Sequence, residues 1–499
     1  MIPFRSALAP SDLMRPLATI LTVLALVAAC AGPAASSTST DGRSPAASAA
    51  THVPPTAVPS ASQAVTPTAN PSRVAARWAA AGTMQVARPN PRLVRLGDGR
   101  VLVLGDYSTY RQEYDSTIVE LWDPATGRWR TTEALNRARG EYVAVPLRDG
   151  RALLAGGINE RGESYSSTYL FDPRTERWEK AGLLGTARAG AAGALLRDGR
   201  VLVAGGGYYT GFDLGRTGGA ILAGYSQAAS PGPSLDGIRL ADVDPGRRGY
   251  ALATAELFDP ATGTWSPTGS MRYALQNAAA VTLGDGRVLV WGVANGSGEQ
   301  GRDIGEIYDP ATGRFSPAPP LPDVDRPSLE TRGIPIPGGS PNAFSGSAMV
   351  MPLADGDALL LGSGSYWPPL ALSRTFRFHA ATDTWTEVGE SFVSAEVPEG
   401  APPKEWGVRL PTYGSVAALA DGSVLFAGGW DAERAAGLLD AATGAWSRLP
   451  PMPAGRMGGA AVTLADGSVL VVGGSRTTTD PTRDGGEFVA DALRFFPGD

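Results

Sequence analysis

"ELFDPATGTW", residues 256–265, decides the fold because it recurs. "ELWDPATGRW" stands at 120–129, "YLFDPRTERW" at 169–178 and "EIYDPATGRF" at 306–315. Weaker copies are "FRFHAATDTW" at 376–385 and "GLLDAATGAW" at 437–446. Each copy reads as two strands joined by a turn. Asp259 can accept hydrogen bonds from the amides that follow, Pro260 presets φ, and Gly263 supplies the left-handed residue before the strand resumes. Trp265 then packs on the pleated face. Asp259 and its equivalents, with His379 among them, are therefore read as turn residues.

A second phrase alternates with the first. It reads "GDGRVLVLGD" (97–106), "RDGRALLAGG" (148–157), "RDGRVLVAGG" (197–206) and "GDGRVLVWGV" (284–293). It continues as "ADGDALLLGS" (354–363), "ADGSVLFAGG" (420–429) and "ADGSVLVVGG" (465–474). Asp-Gly between two apolar runs predicts a hairpin, here with a type I′ turn. The unit is thus strand a, Asp-Gly turn, strand b, then strands c and d around the first phrase. The hairpins do not balance. Seven Asp-Gly turns face only six c–d turns, and the chain ends on a lone strand c, "ALRFFPGD" (492–499). "RWAAAGTM" (77–84) matches "TWSPTGSM" (264–271), so the missing strand d lies at the N-terminal end.

Four strands per unit, a double Gly after strand b and a Trp in strand d resemble the Kelch repeat. The double Gly stands at Gly156-Gly157, Gly205-Gly206, Gly428-Gly429 and Gly473-Gly474, and is degraded in units one, four and five. The resemblance covers residues 78–499. It implies an all-β, seven-bladed Kelch-type propeller over 77–499, closed by its N-terminal strand so that no open edge remains.

The N-terminal part carries an address. Arg5 and Arg15 precede the apolar run "LATILTVLALVAA" (17–29), too short to span a bilayer and suited to a signal peptide over 1–29. "LVAAC" (26–30) resembles the lipobox of bacterial lipoproteins, and Cys30, the sole cysteine, is where that family attaches lipid. A lone Cys leaves no disulfide and no Cys-based zinc site. Residues 30–76 are rich in Ala, Ser, Thr and Pro and are read as a disordered tether, with a reach on the order of 35–40 Å. The expected location is extracytoplasmic, lipid-anchored to a bacterial cell membrane. A net charge of −6 argues against nucleic acid as partner.

In a propeller the a–b and c–d turns share one face, and the b–c and d–a loops share the other. All irregular length falls on the second: 207–252 in blade three, and about 322–344 and 392–412. Binding tends to reside on loops set on a rigid scaffold. Arg88, Arg139, Arg188 and Arg456 occupy one repeat position, ten residues before the hairpin Asp, in consecutive blades of the ring. Arginines at matching places line the central pocket of Kelch propellers that bind acidic peptides. The resemblance therefore implies a basic half-ring facing an anionic or polyhydroxy ligand, with repeat-encoded structural Arg as the other reading. Trp122 and Trp291 fall within strands and are expected to pack. Trp367, Trp406 and Trp430, with Tyr413 and Tyr366, fall in second-face connections and suit sugar or peptide recognition.

Catalytic chemistry finds few donors. The only histidines are His52 in the tether and His379 in a turn, so a Ser-His-Asp arrangement lacks a base. The Kelch-like galactose oxidase family needs two His, Tyr ligands and a Tyr-linked Cys for copper, which the propeller cannot supply. Asp242/Asp244 and Asp323/Asp325 are Asp-x-Asp pairs without the rest of a calcium loop. The expectation is a monomeric, cofactor-free and metal-free protein that binds a glycan or protein ligand. The alternative is a carbohydrate-active hydrolase or mutarotase using carboxylates on the same face.

Overall fold

The Asp-Gly hairpins form at all seven expected places, but not with the expected turn. Gly99, Gly150, Gly199, Gly286, Gly356, Gly422 and Gly467 have positive φ, whereas the preceding Asp residues do not. Leu96 N–H donates to Arg100 O at 2.8 Å, and Gly99 N–H donates to Leu96 O at 3.0 Å. This is a three-residue connection, a type I turn followed by a left-handed Gly, rather than type I′. Asp98 keeps right-handed φ because its carboxylate accepts the Arg100 amide at 3.0 Å, fixing the turn from inside.

The computed structural model describes residues 75–105, 116–212, 242–244, 247–295, 303–322, 349–363, 373–388, 414–429, 434–476 and 487–498. These form seven four-stranded antiparallel sheets, each in the order a-b-c-d, with no helix among the described residues. The chain is an all-β, seven-bladed propeller. Blade one runs Arg92–Arg95, Val101–Leu104, Glu120–Asp123, Arg128–Thr131. Blade three runs Ala192–Leu195, Val201–Ala204, Ala255–Asp259, Thr264–Pro267. Small residues such as those of "AGAL" let the a strands crowd around the axis, while the b strands, "VLVA" and its kin, are buried on both sides. Apolar clusters lie between neighbouring blades. One unites Leu102 and Leu104 of blade one with Leu154 and Phe171 of blade two.

The N-terminal strand does close the ring. Arg77–Thr83 pairs antiparallel with the last strand, Asp491–Phe496, setting Trp78 opposite Phe495 and Thr83 opposite Asp491. Their rings lie 4.9 Å apart. The repeated aromatic of strand d also stitches blades together. Trp78 Nε1–H donates to Pro450 O at 2.9 Å, Trp129 to Ala81 O at 2.7 Å, and Trp385 to Pro319 O at 2.9 Å, each on the preceding blade.

The regular face carries a second fastening. In blades one to four an Arg follows the Asp-Gly and pairs with its own Asp, and in blades one, two and four it also reaches the c–d turn of the next blade. Arg151 donates to Pro260 O at 3.0 Å and Arg287 to Ala380 O at 2.7 Å; Arg100 likewise binds Pro173 O. Blades five and seven have Asp357 and Ser468 after the Gly, and supply the Arg from strand c instead. Arg377 donates to Ala441 O at 3.1 Å, and Arg494 to Pro124 O at 3.5 Å. Blade six has Ser423 and Leu438 at these two positions. Its neighbour, blade seven, is the one whose c–d turn is replaced by the closing strand, so no turn awaits an Arg there. His379 keeps to its expected turn, held by Asp357 and Thr386 at 2.9 Å each.

Candidate functional site

The loop face is built from the starts of the a strands, where one side chain per blade was singled out. Arg88, Arg139, Arg188 and Arg456 are all buried, at 0–1% exposure. Arg188 shows the pattern. Its Nη2 meets the Glu256 carboxylate of strand c at 2.8 Å, and its Nη1 donates to Gly205 O at 3.0 Å and Thr254 O at 2.9 Å. Arg456 repeats it with Asp491 at 2.8 Å, and Arg88 meets Glu120 at 2.8 Å. Arg139 has Tyr169 where the Glu would stand, and sits 5.1 Å from that ring and 4.5 Å from Tyr165. Burial pulls Arg139, Arg188 and Arg456 below the ordinary guanidinium value.

The backbone of the same residue binds the preceding blade. The second glycine of three of the four double-Gly pairs donates to it: Gly157 to Arg188 O at 2.8 Å, Gly429 to Arg456 O at 3.0 Å, and Gly474 to Arg88 O at 2.7 Å, while Gly206 donates to Leu275 O at 2.7 Å. A Cβ on Gly428 would lie 2.1 Å from Arg456 O, and Gly428 has positive φ as well, so the glycine is required twice over. These arginines do not form an exposed basic half-ring in this arrangement. Arg188 and Arg456 are pins that tie strands b and c of their own blade to the blade before; Arg139 reaches strands b and c of its blade, and Arg88 reaches strand c and, through its backbone, blade seven. A buried guanidinium needs a partner, and three of the four have a carboxylate.

Glu306 of blade four is the inverse case. Leu275 replaces the Arg, so Glu306, at 0% exposure, accepts instead the Arg272 and Tyr273 amides, each at 2.9 Å. Burial is the dominant influence and raises its pKa. A raised folded value gives stability that is present below the unfolded glutamate pKa, about 4.3, and is lost as pH rises through the folded value. The melting temperature of Glu306→Gln minus that of the native protein should therefore increase from acid to neutral pH. A difference that stays flat across that window would show that Glu306 carries no such cost.

Trp367, Trp406, Trp430, Tyr413 and Tyr366 lie outside the described residues, as do Asp323 and Asp325. Trp122 and Trp291, at 1% and 3% exposure, pack as expected. What sequence reading missed is the wall over blades two and three. Gly207–Phe212 and Arg247–Ala251 form a hairpin-like extension. It joins the b–c loop of blade two through Ser164 N–H to Tyr209 O at 3.0 Å and a bridge between Glu163 and Thr210. The Tyr209 hydroxyl accepts from Gln276 Nε2 at 2.8 Å, tying the wall to blade four. Tyr165 and Tyr273 are half-buried beside it. The only signal was the Tyr content of 207–209 and 250, which a Tyr-bearing strand core also produces.

At the channel mouth one further position matters, two residues after the pin: Asn90, Glu141, Gly190, Asn277 and Gly458 in blades one, two, three, four and seven. Four of the five have positive φ, at 54° for Glu141, 63° for Gly190, 46° for Asn277 and 69° for Gly458. Among described residues only two other non-glycines do so, Glu176 and Asp383. Those two take the Gly place in regular-face turns and are gripped by fastening arginines. Glu176 is drawn down to about 2, foremost by Arg130, and Arg287 meets Asp383 at 2.7 Å. The left-handed Glu141 and Asn277 stand instead on the loop face.

Neither a known protein-family profile nor a curated protein matches the chain. Among solved structures, it is similar to a fungal alcohol oxidase of the AA5 family in complex with copper. That similarity has a TM-score of 0.55 and 15% identity, over 85% of this chain and 76% of that one. At this identity the likeness is one of fold. The copper belongs to that protein; the described residues of this chain contain no group of three or more His, Cys, Asp and Glu side chains placed to hold a metal. The one described His is committed to a regular-face turn, and imidazole is what copper favours.

Proposed function

We propose that this chain is a Kelch-type propeller, held at a bacterial membrane by lipid on Cys30, that binds a protein or glycan ligand on its loop face. The observation that carries the reading is the difference between the faces. The regular face repeats one fastening from blade to blade. The loop face departs from the repeat with a tyrosine-bearing wall, long connections and two left-handed polar residues at the mouth. Strain kept at such a place is a mark of function. The pins act beneath this surface by holding the a strands in register, so their contribution to binding is indirect.

Two measurements test the reading. The full chain, screened on peptide and glycan arrays, should retain a partner that Trp430→Ala weakens and Arg200→Ala, on the regular face, does not. Loss with Arg200→Ala alone would place binding on the wrong face. Metabolic labelling with a fatty acid should mark the native protein and not Cys30→Ser. Equal labelling of both would remove the lipid anchor.

A further inference from the structure

Blade five departs from the repeat at two places, and the two departures meet. Where the other c–d turns open on Asp it has His379, and where blades one to four carry Arg after the Asp-Gly it has Asp357. His379 Nδ1 lies 2.9 Å from Asp357 Oδ2, and His379 Nε2 lies 2.9 Å from the Thr386 hydroxyl of strand d. A carboxylate, an imidazole and a hydroxyl thus stand in line.

The protons on this line can be placed. An ionised carboxylate only accepts, so Nδ1 carries the ring hydrogen. Nε2 of the neutral ring then accepts, and Thr386 Oγ1 donates to it. Asp357 is held in its ionised form. Burial opposes its charge, but the bonds from Arg377, the Ala380 amide and His379 outweigh burial and keep the carboxyl below its usual range.

The turn does not require the imidazole. Asp357 Oδ1 accepts the Ala380 amide at 3.0 Å, and Asp383 N–H closes the turn on His379 O at 2.9 Å. Blade six makes its turn with the Asp440 carboxylate, which accepts the Ala442 and Thr443 amides. In blade five a neighbouring carboxylate and the backbone do that work, and the imidazole is left facing the hydroxyl. His379 is half-buried and Thr386 exposed, so the hydroxyl end opens to solvent. A hydroxyl within reach of a base that a third group orients is the arrangement of an activated nucleophile. Sequence reading missed it because the hydroxyl is a threonine seven residues further on, brought to the ring by the turn itself.

We propose that Thr386 is an acyl-accepting nucleophile, with His379 as its general base and Asp357 orienting the ring, and that this site hydrolyses small activated esters. Thr386 Oγ1 forms a bond to the ester carbonyl carbon as its proton passes to His379 Nε2, and the carbonyl π pair moves onto oxygen. Collapse of that oxyanion breaks the bond to the leaving alkoxide, which takes the proton from His379. Water then attacks the acyl-threonine with His379 again as base, which releases the acid and restores the hydroxyl. Asp357 keeps its charge throughout. Thr384 and Glu387 beside Thr386 are exposed as well, which suits a short acyl group rather than a chain that needs an apolar sleeve. The site lies away from the loop face and does not rest on the reading given for it.

The test is labelling of the full chain with a fluorophosphonate, which esterifies an activated hydroxyl and loses fluoride, followed by peptide mapping. Release of p-nitrophenol from p-nitrophenyl acetate is measured in parallel. The label should map to Thr386. Thr386→Ala should abolish it and slow p-nitrophenol release while melting as the native protein does, since the hydroxyl is exposed. His379→Gln should slow labelling about a hundredfold or more, the contribution of a general base, and Thr386→Ser should keep it. Absence of label at Thr386, a Thr386 label that His379→Gln leaves at the native rate, or p-nitrophenol release unchanged in Thr386→Ala would each overturn the proposal. Trp430→Ala should leave labelling intact and Thr386→Ala should leave loop-face binding intact, so the two readings fail separately.

Discussion

A chain that begins at Met84 will not fold as the native protein does, whereas one that begins at Arg73 will. The first lacks Arg77–Thr83, the strand that completes blade seven. Its loss exposes the Asp491–Phe496 edge and removes the Trp78–Phe495 contact and the Trp78 hydrogen bond to Pro450. It also removes Ala81 O, which accepts both Trp122 and Trp129 of blade one, so the damage reaches across the seam. An unpaired strand edge invites association with other chains. The expected cost exceeds the roughly 4–5 kcal/mol that marks an exceptional single change, read as loss of the cooperative melting transition or as aggregation. Matching melting curves for the two chains would show that closure does not depend on this strand.

Removal of one buried carboxylate should have the second largest effect. Glu256→Ala leaves the Arg188 guanidinium without its counter-charge and frees the Gly185 and Thr186 amides that Glu256 also accepts, at 2.6 and 3.1 Å. Breaking such a pair from one side costs about 3–5 kcal/mol, whereas replacing both partners by apolar residues is often close to neutral. Arg188→Met combined with Glu256→Leu should therefore recover most of the stability lost by Glu256→Ala. Denaturant unfolding of the three variants measures this. A double variant less stable than Glu256→Ala would mean that the bonds of Arg188 to Gly205 O and Thr254 O, rather than the ion pair, hold the blade.

The architecture was legible because its determinants are local and repeated. Turn chemistry announces each hairpin within five residues, and a mismatch between two counts located the closing strand. The type I′ expectation failed on a detail the letters Asp-Gly do not carry. Whether Asp98 adopts positive φ depends on loop length, and the bond from its carboxylate to the Arg100 amide decides it. The pins were visible as a column of arginines but not as buried ones. Their partners stand 32 residues away for Arg88 and 68 for Arg188, on a strand whose neighbours differ by blade. The Glu of "ELWD" and "ELFD" was the available clue. It is obscured because Tyr169 replaces it opposite Arg139 and because Glu306 keeps it opposite Leu275. Glu141 and Asn277 gave no sign, since left-handed backbone at a non-glycine leaves no trace in composition.

Binding at the loop-face mouth is tested most directly by amide hydrogen exchange on the full chain, with and without the tightest partner from the arrays. Slowed exchange should centre on the a-strand starts and the wall, at Glu141, Tyr165, Tyr209, Gly190 and Asn277, while the turns at Asp149, Asp198 and His379 stay unchanged. Protection confined to those turns, with the mouth unaffected, would contradict it.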